Sequence, residues 1–439
     1  MRKVPFAFAL IFSLVLGIFA INAQDIESVD PTGQTVVYWH QYQNDSAQGD
    51  TIAAIVEQFN ATNEYGITVE ASAQGGYSDI SALVNAGIVS GELPNLTAGY
   101  ANDAASYDKD AVVADLAPYI ASATWGLGEN ADINQSLVAA NTIDGKVVAF
   151  PNQSSAQVIA YNQDLLTELG FDAPATTREE FKEQVCASAN STGPNDEDRL
   201  GFAITTDASA FESWVAAAGG SIYADGAFDF TSDAVTSTLQ FYKELYDEGC
   251  AYIPAERFGE QVDFNNGLTP YYVTSSAGFT FVLSGFADAG YNPVWDITTF
   301  PYTEGNQAVN AFVPSIIVLE STPEQELASW LFLKYFASPE VAVQWSAGTG
   351  YFNPVPSTVE TLATSEFSYE GLAPYFNTAY GFINNPDIRV YSNPAISAYG
   401  TVRGLISTAI AEVTSNGVDV VTVADTLQAA AAQAIADSQ

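Results

Sequence analysis

The apolar positions of the chain fall first into a strand, then a helix, then a strand again. After a polar lead-in at Ser28 to Gln34, Thr35-Val36-Val37-Tyr38-Trp39 is an apolar run of strand character. Asp50 to Asn63 sets Ile52, Ile55, Val56 and Phe59 on one helical face. Ile67-Thr68-Val69-Glu70-Ala71 alternates as a second strand, and Ser78 to Ser90 returns to helical spacing with Ile80, Leu83, Val84 and Ile88 before a stop at Gly91. Pro94 to Gly99 reads as a third strand. This succession predicts an α/β layer sandwich built on a mainly parallel sheet.

Further along, a turn at Asp144-Gly145-Lys146 precedes strand runs at Val147 to Phe150 and Val158 to Tyr161. Helices are predicted over Gln163 to Leu169, Thr177 to Asn190, Phe211 to Ala218 and Ser232 to Asp247, with Thr176-Thr177-Arg178-Glu179 as a capping box. Val313 to Leu319 is a strand, Pro323 opens a helix running to Phe336, and Ser338-Pro339-Glu340 opens another ending near Gly348. Ala398 to Ser415 and Val420 to Ala436 close the chain as helices. No Gly/Ser or Pro-rich linker separates two halves, so two domains would have to be joined by several short crossings.

The first residues change the picture. Arg2 and Lys3 precede an uncharged apolar run from Pro5 to Ile21, and Ile21-Asn22-Ala23 offers a small residue at a cleavage point. Residues 1–23 are therefore read as a signal peptide, and the mature protein as exported. Without Arg2 and Lys3, the 12 cationic residues fall to 10 against 52 acidic ones, a formal charge of −42. Such a surface repels nucleic acid and suits solubility. Cys186 and Cys250 are the only cysteines, and a lone pair in an oxidising compartment is read as a disulfide. No cysteine stands at the expected cleavage junction, so no lipid anchor is predicted.

Catalytic and metal chemistry find little to build on. His40 is the only histidine, which leaves no His-based metal cluster and no HExxH helix. There is no GxSxG elbow, no GxxxxGK[ST] loop and no GxGxxG after a strand. The carboxylates are numerous, but no pair singles itself out as a glycosidase acid and base. No cofactor, metal or catalytic residue is expected, and His40 is read as a structural residue.

Several segments, in order, resemble the ABC-importer solute-binding proteins of the maltose and glycerol-3-phosphate type. Val37-Tyr38-Trp39-His40 with Tyr42 is similar to that family's opening strand and first binding loop, and Glu57 to Asn63 followed by Ile67-Thr68-Val69 to its next segment. Leu93-Pro94-Asn95-Leu96 looks like the approach to the third strand. Asp144-Gly145-Lys146-Val147-Val148-Ala149-Phe150-Pro151 resembles the segment leaving the first lobe, and Tyr161 to Leu166 the one after it. Ser338-Pro339-Glu340 and Gly348 to Pro354 are similar to a late helix and a third crossing.

The resemblance implies an α/β, two-lobed periplasmic-binding-protein fold with discontinuous lobes and a hinge. It puts 34–148 with 300–350 in the N-terminal lobe and 149–299 with 351–437 in the C-terminal lobe. Crossings are expected near Lys146 to Pro151, Asp296 to Pro301 and Gly350 to Pro354. It further implies a ligand set of Tyr42, Tyr77, Ser154, Ser155, Trp214, Ser275, Ser276, Tyr351 and Arg403, with Arg403 matching an anion-binding arginine. The glycerol-3-phosphate branch carries a glutamate after its third strand, where this chain reads Gly99-Tyr100-Ala101-Asn102. The expected function is a monomeric receptor that takes a sugar or a glycerophosphodiester, performs no reaction and delivers its solute to an ABC permease. A secreted glycan-active enzyme and an acidic surface or adhesion protein are the competing readings.

Overall fold

The computed structural model describes residues 26–127, 132–193 and 196–438. The expected signal peptide lies outside the described residues. No helix among the described residues is long and apolar enough to cross a membrane.

β1 (Thr35–His40), α1 (Ala47–Thr62), β2 (Thr68–Ala73), α2 (Tyr77–Ser90), β3 (Leu96–Gly99) and α3 (Ala101–Tyr107) open the first lobe. β1 lies between β2 and β3 and is parallel to both, with α1 and α2 as the crossovers that parallel neighbours require. α1 starts ahead of its apolar stripe because Ser46 caps it, Oγ accepting the Gly49 N–H at 3.1 Å. The sheet is buried on both faces. Val36 and Tyr38 pack with Ile52, Ile55 and Phe59 of α1 on one side. Trp39, the next residue along β1, packs against the cluster of Ile80 and Val84 of α2 on the other, as the two-residue period of a strand demands.

The second lobe contains β4 (Ser155–Asn162), α4 (Arg178–Ala189), α5 (Ala208–Ala217), α6 (Asp233–Asp247), α7 (Gly259–Asn265), β5 (Tyr271–Ser275), α8 (Phe279–Ala289), β6 (Trp295–Thr298) and β7 (Ala308–Phe312). β8 (Ser315–Val318), α9 (Pro323–Phe336) and α10 (Pro339–Thr349) then return to the first lobe, where β8 joins antiparallel to β3. α11 (Leu372–Asn384), β9 (Arg389–Tyr391), α12 (Tyr399–Val413) and α13 (Val420–Asp437) complete the second.

The mainly parallel sheet expected from the chain describes β1, β2 and β3 but not the second lobe. There β5, β6 and β7 all run antiparallel to the central β4, and the parallel pairs are β7 with β9 and the short Phe202–Ala203 with Ala251–Tyr252. β4 is long and apolar because both its faces are covered. Ala156, Val158 and Ala160 face a cluster with α8 and α11. Ile159 faces the large core formed by α4, α5, α6, α12 and α13. The capping box of α4 sits one residue later than expected. Thr177 Oγ1 accepts the Glu180 N–H at 3.2 Å, and Glu180 Oε2 accepts the Thr177 N–H at 3.1 Å.

The lobes meet where three segments run side by side. Phe150 and Ile316 exchange backbone hydrogen bonds of 2.8 and 2.9 Å in the first lobe, while Ser155 opposes Phe312 in the second. Ser154 and Phe352 exchange a further pair of 2.7 and 2.9 Å. The middle crossing is therefore Val313-Pro314, and not Asp296 to Pro301 as expected. The expected segment falls partly on β6, which pairs with β4, and β7 keeps 308–312 in the second lobe as well.

Cys186 of α4 and Cys250 are disulfide-bonded, with Cα atoms 4.4 Å apart and a separation of 64 in sequence. Closing a loop of that length restricts the unfolded chain by about 4 kcal/mol in the chain-entropy account. A Cys186→Ser, Cys250→Ser double variant should lose stability of that order in urea unfolding, and reductant should have no further effect on it. An unchanged urea midpoint would contradict this.

Candidate ligand-binding cleft

Above the crossings, between the lobes, lies a cavity of about 1050 Å³. Gln41, Tyr42, Gln48 and Tyr100 line it from the first lobe, and Ser155, Gln157, Asp207, Tyr272 and Ser275 from the second. Phe312, Pro314 and Tyr351 belong to the crossing segments themselves. The loop after β1 is held by His40, whose Nδ1 accepts the Tyr42 N–H at 3.3 Å. Burial lowers the His40 pKa to about 4, so the ring is a neutral structural group. Tyr42 donates to Gln153 Oε1 at 3.1 Å and meets Trp345 edge-on at 5.0 Å, and Trp345 stacks on Tyr351.

Of the nine residues the sequence singled out, Tyr42, Ser155, Ser275 and Tyr351 line the cavity. Ser275 Oγ donates to Ser155 Oγ at 2.9 Å, joining β5 to β4 on the cleft floor. Tyr77 stands one layer back, its hydroxyl accepting from Gln41 Nε2 at 2.8 Å and its ring 4.9 Å from that of Tyr100. Ser154 acts through its backbone in the crossing ladder. Ser276 Oγ accepts the Ala156 N–H at 3.0 Å and so fastens β5 to β4 away from the cavity.

Two expectations need correction. Trp214 is no ligand wall. It has no exposed surface, and Phe181, Phe202, Phe241 and Phe300 enclose its ring in the second-lobe core. The helix that carries it is buried on every side, so its ring packs into the lobe. Arg403 is no open anion site. Its guanidinium donates to Asp207 Oδ2 at 2.6 Å, Ser209 Oγ at 2.7 Å and the Tyr399 hydroxyl at 3.2 Å.

The sequence reading passed over Gln41, Gln48, Gln157, Tyr100 and Asp207. Gln157 carried a legible signal, as an amide in the middle of an apolar strand that must find partners there. Its Oε1 accepts from Ser213 Oγ at 2.6 Å. Tyr100 lies in the stretch Gly99-Tyr100-Ala101-Asn102, where the expected carboxylate is absent and an aromatic ring lines the cavity instead. Gln48 reaches across the lobes to the Ala277 carbonyl at 3.3 Å, a contact no local pattern announces. Gln41 Oε1 is buried without a hydrogen-bond partner among the described residues.

A buried polar network backs the second-lobe wall. Glu212 of α5 accepts from the Tyr399 hydroxyl and from Asn393 Nδ2, the latter at 2.9 Å. Burial raises its pKa to about 7, against the opposing pull of these donors and of Arg403. Burial also works against the charge on Arg403, but Asp207 outweighs it and keeps the guanidinium protonated. Across the cleft, burial raises the pKa of Asp103 on α3, with the field of Arg403 opposing it.

Two α/β lobes hinged by three crossings around a polar cleft define a two-lobed solute-binding fold. The chain belongs to the bacterial extracellular solute-binding protein family, whose sequence model matches residues 54–370. Solved structures agree in fold. The cyclic alpha-maltosyl-1,6-maltose binding protein of Arthrobacter globiformis is 23% identical with a TM-score of 0.71, over 91% of this chain and 98% of that one. The GacH receptor of Streptomyces glaucescens, solved unliganded and with acarbose, is 18% identical with a TM-score of 0.77, over 93% and 100%. UgpB of Mycobacterium tuberculosis, solved with glycerophosphocholine, is 16% identical with a TM-score of 0.76, over 92% and 99%. No curated protein matches the chain by sequence.

The raised pKa of Glu212 has a defined sign. The folded state holds this proton more tightly than the unfolded chain, so the residue's contribution is full below about pH 4.5 and is lost as the pH rises through about 7. Relative to Glu212→Gln, the wild type should lose about 2–3 kcal/mol across that window. Thermal unfolding of both proteins from pH 4 to 8 measures this, and parallel curves would refute it.

Proposed function

We propose that the protein is the exported solute receptor of an ABC importer, closing on a neutral carbohydrate and handing it unchanged to a membrane permease. The composition of the cleft wall carries this reading. Gln41, Gln43, Gln48, Gln157 and Gln261 supply amides, Ser155, Thr205, Thr206 and Ser275 supply hydroxyls, and Tyr42, Tyr100, Tyr272 and Tyr351 supply aromatic surface. Amides, hydroxyls and ring faces together suit a solute with many hydroxyl groups. The charged members are Asp207, Glu256 and Glu260 against Arg257, an acidic balance that disfavours a phosphate monoester. Arg403 is engaged by Asp207, and Arg257 at the cleft mouth is the one cation among the lining residues.

A zwitterionic glycerophosphodiester is the second reading. A quaternary ammonium group fits tyrosine faces beside a carboxylate, as with Tyr100 and Asp207, and one structure of this fold holds glycerophosphocholine. Neither competing function drawn from the sequence, the glycan-active enzyme or the surface protein, is favoured by the family. The receptor acts as a monomer, free in a periplasm or outside the cell, and needs no cofactor.

Calorimetry against neutral di- and trisaccharides, glycerol 3-phosphate and glycerophosphocholine separates these readings. A neutral sugar should bind with little dependence on salt and be recovered intact. Gln157→Ala and Tyr351→Ala should each cost about 1–3 kcal/mol of binding, and Arg403→Ala no more than either. Tightest binding by glycerol 3-phosphate, weakened by salt and abolished by Arg403→Ala, would overturn the sugar reading. Breakdown of the bound sugar would overturn the receptor.

A further inference from the structure

The cleft mouth carries apolar surface that neither the fold nor the cleft floor requires. Phe258, Val262 and Phe281 are 54%, 58% and 42% exposed, and all three line the cavity. They are three of the nine large apolar side chains exposed among the described residues, and Phe258 and Phe281 are the only phenylalanines of that set, so the grouping is no scatter of surface residues. Phe258 caps α7, and Val262 follows one turn later on the same face. Gln261 Nε2 donates to the Phe281 carbonyl at 3.1 Å, which fastens α7 to α8 and fixes the two rings relative to one another.

The backbone adds a second, independent sign. Phe258 has φ +64°, and the other non-glycine residues with positive φ are alanine and aspartates. A bulky aromatic residue in the left-handed region costs free energy that a glycine would not. The chain accepts that cost and still leaves the ring in water. Arg257 packs its guanidinium 4.8 Å from the Phe258 centroid, which steadies the ring. The same arginine reaches across the mouth: a Cβ on Gly76, the N-cap of α2 in the first lobe, would lie 3.8 Å from its Nη2.

We propose that Phe258, Val262 and Phe281 form an outer subsite, on which further rings of an oligosaccharide stack beyond those held at the cleft floor. The proposal rests on the sugar reading of the cleft and adds the length of the solute. Sugar rings present a flat face of C–H groups, and exposed aromatic rings are the surface that matches it. The shelf is continuous with the floor through the cavity, whose about 1050 Å³ reaches the top of the range for small-molecule sites and exceeds what one pyranose fills. The hydroxyl edges of those outer rings would meet Arg257, Glu260 and Gln261, which border the shelf.

The test is calorimetry with unbranched disaccharides and tetrasaccharides of matched linkage, on the wild type, Phe258→Ala, Phe281→Ala and Phe258→Tyr. For any linkage that binds, the tetrasaccharide should bind the wild type about tenfold more tightly than the disaccharide. Each alanine should weaken the tetrasaccharide about three- to tenfold and the disaccharide by less, while Phe258→Tyr keeps the wild-type preference. Equal affinity for both lengths in the wild type, or equal losses for both in the alanine variants, overturns the outer subsite and leaves the sugar reading standing. Failure of every saccharide to bind the wild type removes the sugar reading and the subsite with it. Unaltered sugar affinities, with loss of a dimer in sedimentation, would assign the shelf to a second copy of the chain and overturn the proposal.

Discussion

Paired backbone hydrogen bonds between three crossing segments set the frame in which everything else is placed. Phe150 with Ile316 and Ser154 with Phe352 lock the crossings to one another within a few residues of the cleft floor. Each pair satisfies polar groups that would otherwise be buried without partners, so the arrangement resists slippage. Ser155, Pro314 and Tyr351 line the cavity from these same segments. A rotation of one lobe about the crossings therefore moves the walls while the floor stays nearly fixed, the geometry of a hinge.

Electrostatics narrows what the walls can hold. The chain carries a large negative charge, and half of the ten cations among the described residues are paired with carboxylates: Arg199 with Glu168, Lys146 with Asp108, Lys182 with Glu248, Lys243 with Asp247 and Arg403 with Asp207. The Arg403 pairing matters most, because it shifts an apparent anion site into the support of the wall. Asp207 then serves two neighbours at once, capping α5 through the Ser209 and Ala210 N–H groups while neutralising Arg403.

Where local chemistry decided the outcome, the sequence was legible. α9 runs from Pro323 to Phe336 as read, because a threonine cap and a proline at the first position leave little choice. Tyr42, Ser155, Ser275 and Tyr351 were reachable through the family-like segments around them. The misses are contacts made across long separations. Arg403 looked free until Asp207, 196 residues away, closed on it. Trp214 looked like a ring for stacking until four phenylalanines from separate elements surrounded it. The middle crossing was misplaced because β6 and β7 share one edge of β4, an arrangement that strand patterning alone does not distinguish from a change of lobe.

The placement of β8 beside β3 bears on how the chain assembles. Leu96 finds its partner in Val318, and Trp330 and Phe332 of α9 arrive later still to cover the first sheet. A chain emerging from its N-terminus thus exposes β3 as an open edge with uncovered apolar residues while the whole of β4 to β7 is still being delivered. The first lobe is complete only once α10 has been made, and until then the early half stays unfinished with apolar surface uncovered. The many carboxylates gain a role at that stage: like charge on the waiting half disfavours its pairing with neighbouring chains until its missing strand appears.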